Sequence, residues 1–145
     1  MNGWLLDTSA LSAFAPGKPA VAPDVARWFE DHSENLFLST ITVIEIETGI
    51  AKLDRTGATR RAEILRNWHG QILGSYTEKV LPLDLTAARI AGSLGDAAIA
   101  TGRYPGFADV AIAAIAKSQD LAVLTLNLRH FEPLGVAASN PFSPD

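Results

Sequence analysis

Short apolar runs without polar alternation, each followed by a helical segment, constrain the fold of this chain more than any other feature. The runs cover residues 3–6, 36–40 and 121–125. A strand with one wet face alternates apolar and polar side chains, whereas a strand buried on both faces does not. Helices between such strands cover both faces of a parallel sheet. We therefore predict a single α/β domain over residues 1–145, with a twisted, mainly parallel sheet of four to five strands flanked by helices.

Further segments fill out this prediction. Helical spacing is evident over about 58–76 and 84–100, and in the nearly all-apolar segment that Asp109 opens. Residues 79–83 read as another strand, and Pro82 places that strand at an edge or marks its end. The tail, residues 135–142, is expected to add a short final strand.

Four oxygen-bearing side chains occupy positions that a ligand site would use. Asp7 and Asn127 follow buried strands, while Glu45 and Asp109 stand near the starts of predicted helices. Ligands of open parallel sheets bind beyond the carboxyl ends of the strands. An oxygen-only donor set favours Mg²⁺ or Mn²⁺ over Zn²⁺. The three histidines are scattered, and we do not expect them to be metal ligands.

Each acid also has a purely structural interpretation. Asp7 could cap a helix, Thr42 and Glu45 could form a capping box, and Asp109 would suit the positive end of a helix dipole. Capping alone does not explain why both Asp7 and Asn127 follow buried strands.

Composition limits the compartment and the partners. With 48% hydrophobic residues and no cysteine, the chain can build a core without disulfides. No apolar stretch approaches the ~18 residues of a membrane span, so we expect a cytoplasmic protein. The net charge of −4 argues against a surface that attracts nucleic acid everywhere. One basic cluster is either a solvated helix face or a phosphate-contacting strip: Lys52, Arg55, Arg60, Arg61 and Arg66.

Four segments, in this order, resemble the successive motifs of PIN domains. They are residues 7–11 (Asp-Thr-Ser-Ala-Leu), 39–45 ending in Glu45, 107–114 containing Asp109, and 125–131 containing Asn127. Over nearly its whole length the chain resembles VapC toxins of VapBC toxin–antitoxin pairs, especially the FitB-like branch. Those chains commonly end near an Asn-Pro-Phe like the one at 140–142.

The resemblance implies a PIN-like fold and a metal-dependent endoribonuclease. Asp7, Glu45 and Asp109 would hold Mg²⁺ or Mn²⁺, and Asn127 would take the fourth catalytic position. The neighbouring hydroxyls that would orient ligands or waters are Thr8, Ser9 and Thr125. The implied partners are RNA, a VapB-like antitoxin and a second copy of the chain. His130 stands where relatives often carry Asp, which bears on whether one or two metal ions bind.

Two other functions fit parts of the pattern. A receiver-type phospho-acceptor domain would need a second acid beside Asp7 and a late Lys, but Thr8 follows Asp7 and no Lys follows Lys117. A PIN-like domain that binds RNA or protein with little nuclease activity is the other alternative. The target RNA, its cut site and the antitoxin are not specified by the sequence.

Overall fold

The computed structural model describes residues 2–142. Its sheet contains five short strands: β1 (Trp4–Leu6), β2 (Leu36–Ser39), β3 (Val80–Leu81), β4 (Ala122–Leu124) and β5 (Ala138–Ser139). The strands lie in the order β3-β2-β1-β4-β5, and every neighbouring pair is parallel. The predicted fold class is therefore confirmed, and the sheet is parallel throughout its described strands.

The central strand, β1, sets the register of the sheet. Trp4 stands opposite Leu36 on β2 and opposite Ala122 on β4. The strand before Pro82 lies at one edge, as predicted, because a residue without an N–H cannot donate to a further strand. The other edge is β5, the short final strand expected within the tail, residues 135–142.

Seven α-helices flank the sheet within residues 2–142. Their bounds are α1 (Thr8–Ser12), α2 (Pro23–Asp31), α3 (Thr40–Arg55), α4 (Thr59–Tyr76), α5 (Leu85–Ala100), α6 (Phe107–Ser118) and α7 (Leu128–Phe131). Short 3₁₀ turns cover Ser33–Asn35, Thr77–Lys79 and Glu132–Leu134. Several helices begin at an oxygen cap, because such a side chain accepts from an N–H group that the first turn leaves free. For example, Asp84 accepts from the amide of Ala87 at the start of α5.

The core forms two layers, one on each face of the sheet. Leu5 and Val123 pack with α5 and α6, whereas the next residues, Leu6 and Leu124, pack with α1 to α4. Successive side chains of a strand point to opposite faces, so the unbroken apolar runs supply both layers. α6 is buried from Val110 to Ala116, which fixes the position of its first turn and of Asp109 within it.

No helix in the described part of the chain combines the length and the hydrophobicity that crossing a membrane requires.

Candidate active site

Asp7 directly follows β1 and caps α1. Its side chain is 3% exposed. Oδ1 accepts from the backbone N–H of Ala10 at 2.9 Å and from the hydroxyl of Ser9 at 2.6 Å. Oδ2 accepts from the hydroxyl of Thr125, which directly follows β4, at 2.5 Å. Asp7 therefore ties the carboxyl ends of β1 and β4 together.

These bonds leave Asp7 with capacity for one more partner. An ionised carboxylate has about four acceptor positions, and the described residues fill both on Oδ1 and one on Oδ2. The helix-capping interpretation of Asp7 is thus correct, but capping does not use all the acceptor positions of the carboxylate. One lone pair of Oδ2 is available to a cation.

Glu45 lies on the exposed side of α3 and is held by a chain of hydroxyls. The Oγ1 of Thr8 donates to Oε1 of Glu45 at 2.5 Å and lies 3.0 Å from Oγ1 of Thr42. Because the single proton of Thr8 goes to Glu45, the buried Thr42 must donate to Thr8. Thr42 in turn lies 3.5 Å from Oγ of Ser39, the cap of α3. Such a chain polarises each hydroxyl toward the carboxylate.

The capping-box interpretation of Thr42 and Glu45 is wrong. α3 begins at Thr40, and its cap is Ser39, whose hydroxyl accepts from the amide of Thr42. Glu45 lies in the second turn and its contact is with Thr8 of α1. A cap at Thr42 would have placed the start of the helix later in the chain. α3 begins earlier because the hydroxyl of Ser39 caps its first turn.

Asp109 lies in the first turn of α6, whose cap position is Gly106. Oδ2 of Asp109 accepts from Nδ1–H of His130 at 2.8 Å. The two side chains are 22% and 51% exposed respectively. His130 thus stands beside one of the acids, a contact that the scattered spacing of histidines did not indicate.

The pKa of Asp109 is raised above its usual value. Burial is the largest cause, because it disfavours the charged form. The hydrogen bond and the charge of His130 act in the opposite direction, and the charges of Asp7 and Glu45 raise the pKa further. The negative charges of Asp7 and Glu45 therefore act on Asp109, and a cation bound at this edge would offset them.

Asn127 takes the position before α7 without capping it. Its backbone N–H donates to Oγ1 of Thr125 at 2.9 Å, but its side chain makes no cap hydrogen bond. The side chain is exposed at the same edge of the sheet. Its amide oxygen has no structural task among the described residues and is available for a ligand.

The donor chemistry of the cluster fits a hard divalent cation. All its donors are oxygens, and no Lys or Arg of residues 2–142 pairs with Asp7, Glu45 or Asp109. Within that range, however, no three acidic or imidazole groups already surround a common point. Glu45 is exposed and Asp109 is partly so, so joint coordination would require their side chains to adjust.

The predicted basic cluster is divided between two neighbouring helices, α3 and α4. Lys52 and Arg55 are exposed in the last turn of α3, and Arg60 and Arg66 are exposed on α4. Arg66 pairs with Asp54. Arg61 alone is half-buried, and it lines a cleft that also contains Glu45.

Three residues near Glu45 were not expected in a site from the sequence: Lys18, Thr42 and Trp68. From the sequence, Thr42 is interpreted only as a helix cap. No periodicity connects them with Glu45 or Asp109, since tertiary packing alone brings them near. His130, in contrast, is already singled out by the sequence, because it stands where relatives often carry Asp.

Comparison with known proteins shows the family to which this fold and these acids belong. The PIN domain profile matches residues 4–134. "VapC ribonuclease Y4jK" of Sinorhizobium fredii is 34% identical, covering 97% of this chain and 98% of that protein. "Toxin FitB" of Neisseria gonorrhoeae is 31% identical over 95% of this chain and 97% of its own. The crystal structure of FitAcB from the same organism superposes with a TM-score of 0.81 at 32% identity, covering 95% and 97%. None of these supports the receiver-type alternative.

Proposed function

The chain belongs to the PIN-domain family, in its VapC- and FitB-like branch, and from this premise we propose that it is a toxin that hydrolyses RNA phosphodiester bonds as a Mg²⁺- or Mn²⁺-dependent endoribonuclease. The observation that carries the proposal is the placement of three acids at the carboxyl edge of the sheet: Asp7 after β1, Glu45 held by Thr8, and Asp109 in the first turn of α6. The charges of Asp7 and Glu45 raise the pKa of Asp109, in agreement with this placement. The names of the relatives, a ribonuclease and a toxin, support it.

Each residue has a definite task in this proposal. Asp7, fixed by Ser9 and Thr125, is the rigid ligand, because its bonds hold one orientation. Glu45 and Asp109 complete the acidic ligand set. Asn127 contributes a neutral oxygen, which lowers the negative charge that an approaching phosphate meets. Thr8 holds Glu45 where it can accept a proton from an attacking water.

The bound cation would lower the pKa of a water and neutralise charge on the phosphate. Asp109 and His130 form a hydrogen-bonded pair at this edge. The imidazole keeps one oxygen of Asp109 engaged, so Asp109 presents its other oxygen to a ligand. An Asp at position 130 would add a further negative charge to the edge, whereas His130 adds none.

Partners and compartment belong to the same proposal. A VapC-type toxin requires a VapB-like antitoxin, and we place both in the cytoplasm with the RNA. A homodimer is supported by large apolar side chains left exposed around the end of α5 and the start of α6, namely Ile99, Tyr104 and Phe107, the last 66% exposed. Contiguous exposed apolar surface is typical of protein interfaces.

Cleavage of single-stranded RNA by the purified protein tests the proposal. We expect cleavage with Mg²⁺ or Mn²⁺, loss in EDTA, and strong loss in Asp7→Asn, Glu45→Gln and Asp109→Asn. Asp96→Asn, an exposed acid on α5, is the matched control. RNA binding without metal-dependent cleavage would instead favour the alternative, a PIN-like binding domain with little nuclease activity.

A further inference from the structure

A cleft leads away from Glu45 between α1, the loop after it, α3 and α4. We call it the Glu45 groove. Its volume is about 250 Å³. Thr8 and Glu45 line it at the acidic site. Its walls also contain two basic residues, Lys18 and Arg61, and several apolar ones, among them Leu65 and Trp68.

The two cations line the Glu45 groove without an acidic partner in residues 2–142. Neither Lys18 nor Arg61 takes part in an ion pair there, whereas the nearby Arg66 is paired with Asp54. A cation whose charge is not neutralised within the protein is available to an external anion.

The guanidinium of Arg61 is held against the loop that contains Gly17. It packs on the backbone of Gly17, where an added Cβ would lie 2.9 Å from Nη1 and 3.2 Å from Cζ. Gly17 also has a φ of +90°, a conformation that favours glycine. This close approach brings Arg61 to the loop that carries Lys18, so both charges face the same cleft.

The rest of the groove is apolar and aromatic. Trp68 and Leu65 are partly buried against the layer that contains α3 and α4, and both line the cleft. Bases of single-stranded nucleic acids stack on aromatic side chains independently of sequence, while cations contact the phosphates. The Glu45 groove combines both features and opens on the acidic site.

We propose that the Glu45 groove is a subsite for single-stranded RNA, in which Arg61 and Lys18 bind a backbone phosphate and Trp68 supports a base. The proposal rests on the ribonuclease function. An acidic peptide could also satisfy the two cations. RNA is favoured because its chain continues beyond the groove and carries the next phosphodiester to the site of Glu45. The phosphate contacts then belong to this groove and not to the exposed basic cluster.

Binding in EDTA tests the subsite without cleavage. The probe is a fluorescein-labelled single-stranded RNA oligonucleotide, and its anisotropy is measured at several salt concentrations. Arg61→Ala and Lys18→Ala should each weaken binding several-fold and each reduce the salt slope of log K by about 0.7, the value for one phosphate on a single strand. Trp68→Leu should weaken binding without changing the slope. Arg27→Ala, an exposed arginine on α2, is the charge-matched control.

Two results would overturn the subsite. One is an effect of Arg61→Ala and Lys18→Ala no larger than that of Arg27→Ala. The other is an equal loss of binding and slope in Arg55→Ala and Arg60→Ala, which would assign the phosphates to the exposed cluster. Lys18 is exposed, so its variant tests the proposal even if Arg61→Ala fails to fold.

The subsite and the nuclease function can fail separately. Arg61-dependent RNA binding without metal-dependent cleavage supports the subsite and contradicts the function. Cleavage whose KM is unchanged in Arg61→Ala contradicts the subsite and leaves the function standing. An oligo-glutamate peptide that binds through Arg61 when the RNA oligonucleotide does not would assign the groove to a protein and overturn the proposal.

Discussion

Nδ1 of His130 lies 2.8 Å from Oδ2 of Asp109, so an imidazole is hydrogen-bonded to an acid of the candidate site whose pKa is raised. This hydrogen bond does not return the pKa of Asp109 to its usual value, because burial and the charges of Asp7 and Glu45 still raise it. In the metal-free protein, ionised Asp109 therefore costs stability.

Asp109→Asn should be more stable than the wild type in EDTA at neutral pH. A carboxyl whose pKa is higher in the folded state adds stability that is complete below its unfolded pKa and lost as pH rises through the folded one. The advantage of the variant should therefore shrink as pH falls toward the ordinary value of 3.8. Urea melts across that range measure it, with Asp96→Asn as the control. An advantage that grows on acidification would contradict the assignment.

Asp7→Asn should behave in the opposite way and destabilise the metal-free fold. An amide can still accept from Ala10 and Ser9, but its NH₂ group then faces the donating hydroxyl of Thr125. Leaving a buried hydrogen bond unmade costs about 1–3 kcal/mol. Asp84→Asn is the matched control, since Asp84 is an exposed cap and Asn caps equally well. Equal stability of Asp7→Asn and the wild type in urea would show that the Thr125 contact adjusts freely.

Thr8→Val should slow RNA cleavage while leaving the fold intact. The change keeps the shape of the side chain but removes the hydroxyl that holds Glu45. Loss of a group that orients a metal ligand typically costs about 10- to 100-fold in affinity or activity. Thr8→Ser should restore most of the rate. Thr48→Val, which removes an exposed hydroxyl bonded within α3, should not change it. A Thr8→Val rate indistinguishable from that of Thr48→Val would separate Thr8 from the function of Glu45.

Phe107→Glu should shift the protein toward the monomer if the apolar surface at the start of α6 is the dimer contact. A buried unpaired carboxylate opposes association, because it loses its hydration. Light scattering after size exclusion gives the mass. Leu85→Glu, at an exposed residue at the start of α5, tests a second apolar position, and loss of the dimer in that variant alone would move the contact there.

The features that the sequence predicts correctly are those that depend on a single continuous segment of the chain. Unbroken apolar runs indicated the parallel sheet, and strand ends placed Asp7 and Asn127 at its edge. Local signals also misled. Thr42 reads as a helix cap, yet Ser39 takes that task and Thr42 instead supports Thr8. Arg61 looks like one of five equivalent cations, and only the packing of α4 against the loop at Gly17 distinguishes it.

Binding of Mn²⁺ in the absence of RNA tests the central claim most directly, since electron paramagnetic resonance counts the free ion. We expect the wild type to bind Mn²⁺ in competition with Mg²⁺, and Asp7→Asn, Glu45→Gln and Asp109→Asn each to weaken that binding strongly. Asp96→Asn should bind as the wild type does. Undiminished Mn²⁺ binding in all three variants would contradict the claim that these carboxylates form the cation site.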